Sequence, residues 1–217
     1  MNSLTEENYL KAIYRLSQRK NFKITPTAIA EEVKVNAASV VEMIRKLTEK
    51  KLIRYDRVTG AKLSEKGTKT ALAIVRNHRL WEVFLLEKLG YTWDIVHEIA
   101  EQLEHVKHPE LADRLDKYLG SPEYDPHGDP IPKSNGEVPE TTNVRLAEME
   151  AGSICAVVAV KDTSVAFLQY LQQLSIGIGT RIKVLDKIPF DESLRLQIGK
   201  SDTATVSRKF AENLLVN

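Results

Sequence analysis

Three of the five histidines in this 217-residue chain stand among carboxylates at helical spacing. His78 and Glu82 are four residues apart. His97, Glu101, Glu104 and His105 follow at i, i+4, i+7 and i+8, which would put all four on one face of a continuous helix. Such a face offers imidazole and carboxylate donors to a divalent ion at little ordering cost. The donors are oxygen and nitrogen only, which suits borderline-hard ions such as Mn2+ and Fe2+. A single His-xxx-Glu pair is common on solvated helices. Two arrays on consecutive helices point to metal. The same groups could activate water for hydrolysis. No nucleophile motif or phosphate-binding loop accompanies them, so the chain reads as no enzyme, with a metal-dependent hydrolase as the alternative.

Charge is segregated along the sequence. Residues 1–70 carry 15 Lys/Arg against 8 Asp/Glu, residues 71–140 carry 7 against 14, and residues 141–217 carry 9 against 8. A basic head beside an acidic middle suggests separate tasks for polyanion and cation. In the head, Ser3 and Glu6 have capping-box spacing before an amphipathic run. Thr25-Pro26 starts a second helix, and Asn36 caps a third holding Val40, Val41, Ile44 and Leu47. Leu52–Asp56 and Ala61–Leu63 read as a hairpin. Three helices and a hairpin make a winged helix-turn-helix.

That motif enters the DNA major groove with the start of its last helix, here Asn36, Ala37, Ala38, Ser39, Val40 and Glu42. Small residues allow close approach, Ser39 can donate or accept, and Val40 is positioned to touch a thymine methyl. Arg45, Lys46, Arg54, Arg57 and Lys62 read as phosphate contacts. A protein-binding winged helix, or a helical bundle with a basic face, would share much of this pattern.

Ser64 opens a helix through Ala71–Leu89 that stops at Gly90. Thr92 opens another through Val106, and Pro109 a shorter one ending near Gly120. Residues 121–140 are rich in proline and glycine, hence a linker. Ile154–Val160, Arg181–Leu185 and Leu194–Ile198 are β-branched runs around a helical Val165–Leu174, as in a small barrel. The expected architecture is mainly α with a small all-β domain: winged helix-turn-helix at 1–70, a helical metal-binding segment with its linker at 71–140, and a small barrel at 141–217. The single cysteine, Cys155, excludes an internal disulfide and a thiolate cluster and fits a reducing cytoplasm. No run is apolar enough for a membrane span.

Glu7-Asn8-Tyr9-Leu10 with Ile13-Tyr14, His78-Arg79-Leu80 with Glu82, His97 with Glu101, and Glu104-His105-Val106 together resemble the diphtheria-toxin-repressor family of iron- and manganese-dependent regulators. Asp125-Pro126-His127-Gly128 with Ile131-Pro132, and Gly177-Ile178-Gly179-Thr180 before Lys183-Val184-Leu185, extend the likeness over the whole chain. The second of these is similar to the SH3-like domain of ferrous-iron-transport accessory proteins. The resemblance implies a dimeric repressor of metal-uptake genes that binds palindromic operator DNA when loaded with Mn2+ or Fe2+. It implies one metal site from Asn8, Glu101, Glu104 and His105, and another from His78, Glu82 and His97. Lys11 departs from it, replacing a carboxylate of the manganese type with a cation. Ser164 and Phe167, where that domain can lend ligands, are poor donors. His127 reads as structural. A regulator that has lost its metal dependence is the remaining alternative.

Overall fold

The computed structural model describes residues 2–141, 143–200 and 202–217. Helix α1 (Leu4–Ser17) begins with the expected capping box, in which the Ser3 side chain accepts from the Glu6 amide and Glu6 reaches back to the Ser3 amide. Helices α2 (Pro26–Val33) and α3 (Ala37–Glu49) are capped by Thr25 and Asn36. Strands β1 (Ile53–Asp56) and β2 (Gly60–Leu63) pair antiparallel as the wing. Gly60, at φ 83°, is required there: a Cβ would come within 2.7 Å of the Ile24 carbonyl oxygen. Leu10, Ile13, Leu16, Ile29, Val40, Leu47, Leu52 and Ile53 close the core.

Helix α4 (Glu65–Glu87) is capped by Ser64, whose hydroxyl accepts from the Gly67 amide at 3.0 Å. It ends at left-handed Gly90, with the Gly90 amide bonded to Leu86 and the Tyr91 amide to Leu85. Helix α5 (Trp93–Leu103) stops three residues short of the expected end. The Val106 amide turns onto the Leu103 carbonyl at 3.1 Å, and Pro109 disfavours helix at His108. Glu104 and His105 therefore lie in the turn after α5 rather than on its face. Helix α6 (Leu111–Tyr118) follows.

The carboxyl-terminal part is a six-stranded antiparallel sheet in the order β3-β8-β4-β5-β6-β7. Its elements are β3 (Val144–Arg145), β4 (Ile154–Val160), α7 (Val165–Gln173), β5 (Arg181–Lys187), β6 (Leu194–Ile198), β7 (Asp202–Val206), α8 (Arg208–Glu212) and β8 (Leu214–Val216). Alternation sends Ile182, Val184, Leu194, Leu196 and Ile198 inward onto Leu168, Leu171 and Phe210.

The chain forms two compact units. One contains the residues up to His78 with Glu101–Arg114 and Pro132–Val138; the other contains Arg79–Ala100, Leu115–Ile131 and Pro139–Asn217. Among the described residues no helix is long and apolar enough to cross a membrane.

Candidate metal centres and nucleic-acid interface

The first unit gathers Glu101, Glu104, His105 and His78. His78 Nδ1 lies 2.5 Å from Glu104 Oε2, and His105 Nε2 lies 3.5 Å from Glu104 Oε1. His105 Nδ1 is 2.8 Å from Glu7 Oε2, whose other oxygen takes Lys107 Nζ at 2.7 Å. Asn8 shares a hollow of about 130 Å3 with Lys11, Arg15, Glu32 and Glu101. Its Oδ1 is buried without a hydrogen-bond partner, the orphaned acceptor expected of a ligand position. Lys11, however, donates to Glu101 at 2.7 Å and to both oxygens of Glu104 at 2.7 Å. At an effective dielectric near 20, a divalent ion ~4 Å from that ammonium would be repelled by roughly 8 kcal/mol. This donor set does not fit a resident metal while Lys11 holds it.

The second unit assembles a different group. Glu82, Asp125 and His127 are each buried, and one donor atom from each lies within 4.8 Å of the others. Glu82 Oε1 is 3.0 Å from His97 Nδ1 and 3.7 Å from His127 Nδ1. The His127 ring stacks on Trp93 with centroids 6.2 Å apart, and its Nε2 is 3.0 Å from the Trp93 carbonyl oxygen. Donation there leaves Nδ1 as the nitrogen facing the carboxylates, which is how an outer partner fixes a metal-binding imidazole. Asp125 Oδ1 accepts from the His127 and Asp129 amides, and Arg79 holds both Asp125 and Asp129.

Burial would push the His127 imidazole down, but Glu82, Asp125 and the Trp93 carbonyl outweigh it and raise it to about 9. The Asp125 carboxyl is raised to about 7, by burial first and then by Glu82 and Asp129, with Arg79 and His127 opposing. This pocket concentrates negative charge and retains protons as partial compensation. Two carboxylates and an oriented imidazole, with His97 beside them and no sulfur, fit a divalent ion of the Mn2+ or Fe2+ kind.

Helical spacing points to Glu82 and His97, whereas it carries no mark of Asp125 or of His127, which the sequence reads as structural. The signal was present as a D-x-H-G sequence, but it lies in a loop where no helical period could link it to Glu82.

In the winged helix, Asn36, Ala37, Ala38, Ser39, Glu42, Arg45, Lys46, Arg54, Arg57 and Lys62 are all exposed. Val40 is not. It is 0% exposed and packs with Ile44 and Leu47, so the expected thymine contact is corrected to a core position. Its neighbour Val41, 58% exposed, is the apolar side chain on the outside. Asn36 Oδ1 is engaged by the Ser39 amide and hydroxyl at 2.9 and 3.0 Å. Lys46 lies 3.2 Å from Glu6 Oε1. Arg54 and Lys62 are direct cross-strand partners on the wing. Like charges opposite one another disfavour a ribbon, and the pair concentrates positive charge on the exposed wing.

A winged helix with a facing basic pair, coupled in one chain to a buried sulfur-free donor cluster and an SH3-like sheet, defines a class of DNA-binding regulator. The model of the iron dependent repressor N-terminal DNA binding domain matches residues 1–61, that of the metal binding and dimerisation domain residues 64–133, and that of the FeoA domain residues 144–217. The iron-dependent repressor IdeR of Mycobacterium tuberculosis is 36% identical over 169 residues, 73% of this chain and 72% of that protein. The diphtheria toxin repressor of Corynebacterium diphtheriae is 27% identical over 195 residues, 84% of this chain and 85% of that protein. A manganese-dependent transcriptional repressor in complex with manganese superposes with a TM-score of 0.88 at 34% identity, covering 97% of this chain and 98% of that one. The chain belongs to the family of iron-dependent repressors, metal-dependent transcriptional regulators.

Proposed function

We propose that this protein is a cytoplasmic repressor that binds palindromic operator DNA as a homodimer when Mn2+ or Fe2+ is loaded. The observation that carries the reading is the buried Glu82–Asp125–His127 cluster, with His97 on Glu82, in the same chain as an exposed basic winged helix. When bound, the ion would supply positive charge in place of the protons this cluster retains. Glu82 and Asp125 give carboxylate oxygen, the Trp93 carbonyl orients His127, and Arg79 anchors the loop through Asp125 and Asp129. Two-fold pairing sets two recognition helices at a fixed separation, and half-sites a whole number of helical turns apart match it. We take 1–70 as the DNA-binding segment, 71–140 as the dimerisation and metal segment and 141–217 as the SH3-like segment. The limits of the three matching family models support this division.

The test is selection of duplexes from a random library, followed by binding to the selected fragment across divalent ions. Mn2+ and, anaerobically, Fe2+ should stimulate binding, with Mn2+ somewhat preferred because no sulfur ligand is present. A chelator should remove the stimulation, as should Glu82→Gln. Binding indifferent to every ion would refute the reading.

A further inference from the structure

One group within reach of Glu101 and Glu104 is already a cation. Lys11 is 5% exposed and Glu104 1%, so the ammonium and its principal partner are both out of solvent. Lys11 Nζ reaches Glu101 Oε1 and both oxygens of Glu104, each at 2.7 Å. An ammonium has three donors, and three carboxylate oxygens receive them. The other donor atoms are engaged as well, Glu104 Oε2 by His78 and His105 Nδ1 by Glu7. The orphaned Asn8 Oδ1 is a neutral amide oxygen, with no charge to draw a divalent ion past the ammonium.

We propose that Lys11 is a tethered replacement for a metal ion at this position. The chain's own cation joins α1 to the Glu101–Glu104 segment, and metal regulation runs through Glu82, His97, Asp125 and His127. This inference rests on the metal-regulated reading above and specifies which part of the machinery responds. A contact made by a covalently attached ammonium does not respond to chelators or to metal supply. Withdrawing it would take from the buried Glu104 carboxylate the ammonium that holds both its oxygens, a costly outcome.

The test is Mn2+ uptake by the full chain in equilibrium dialysis, comparing wild type with Lys11→Met and Lys11→Glu. Wild type is expected to take one ion per chain and each variant two, the second held more tightly by Lys11→Glu. Equal uptake by all three overturns the proposal. If neither variant folds, the wild type answers directly through NMR of the 15Nζ-labelled lysines. The Lys11 ammonium signal should persist, shielded from solvent exchange, at saturating diamagnetic Zn2+. Its loss on metal saturation overturns the proposal. The two failures are separable. A wild type whose DNA binding ignores every ion defeats the metal-regulated reading, whereas one that responds to Mn2+ but takes two ions and releases Lys11 defeats only this inference.

Discussion

Single residues settle whether a position serves packing, charge or recognition. Val40 and Ser39 are neighbours with opposite duties. Val40→Ala should lower stability by about 1–2 kcal/mol through a core cavity, whereas Ser39→Ala, beyond a share of the cap, should change sequence preference; urea unfolding and fragment binding separate the two. Arg57→Ala should weaken binding to all duplexes alike and reduce the slope of log K against log salt by about 1; a changed sequence preference with an intact slope would refute the phosphate assignment. Lys11→Met should destabilise the metal-free chain by about 3–5 kcal/mol, because Glu104 loses a buried partner. Much of this scale was readable in advance. The basic residues and Ser39 are surface-exposed as their pattern implied, and Lys11 was visibly out of place among ligands. The assignment of Val40 failed by one residue, since a helix turns 100° per step and the core side of α3 had to be judged without its partners. The place of His127 beside Glu82 and Asp125 was hidden because stacking on Trp93 brings together residues 34 apart in sequence.

At the scale of elements, helix ends matter most. Caps at Ser3, Thr25, Asn36 and Ser64 were legible because a capping residue acts within three positions of itself. The early stop of α5 and the short strands β3 and β8 were not. The stop depends on a turn in which the Val106 amide bonds the Leu103 carbonyl and the distant Asn77 side chain donates to the Glu104 carbonyl, and the strands, of two and three residues, depend on partners elsewhere in the sheet. The α1 cap also carries a pH signature. Burial pushes the Glu6 carboxyl up, but Lys50, the Ser3 amide and Lys46 outweigh it and hold it at about 2, below its ordinary 4.5. A depressed carboxyl stabilises the fold above its unfolded value, and that contribution is lost as pH falls from about 4.5 towards 2. Half-exposed ammonium partners screen the pair, so Glu6→Gln should cost on the order of 1–2 kcal/mol at pH 7 and almost nothing below pH 2. Denaturant titrations of both chains at several pH values measure the convergence.

For the whole molecule, the number of ions sets the steepness of the response. Moving a conformational equilibrium from 1:99 to 99:1 needs ~5.5 kcal/mol. An ion present at about 100 times its dissociation constant contributes ~2.7 kcal/mol, so two ions, one in each chain of a dimer, suffice. Mn2+ activation should therefore show a Hill slope no greater than 2, measured by DNA binding against free Mn2+; a steeper response would require further sites. Gly128 has a related consequence. At φ 85°, a Cβ there would stand 2.0 Å from the Val158 carbonyl oxygen, and the adjoining His127 carbonyl accepts from the Val160 amide of β4 at 2.9 Å. The loop that carries Asp125 and His127 is thus laced to the sheet through backbone atoms. Events in the loop therefore have a slow-exchanging reporter in β4: filling the cluster should retard deuterium uptake at the Val160 amide, and Gly128→Val should unlace the loop and make that amide exchange at a rate blind to Mn2+.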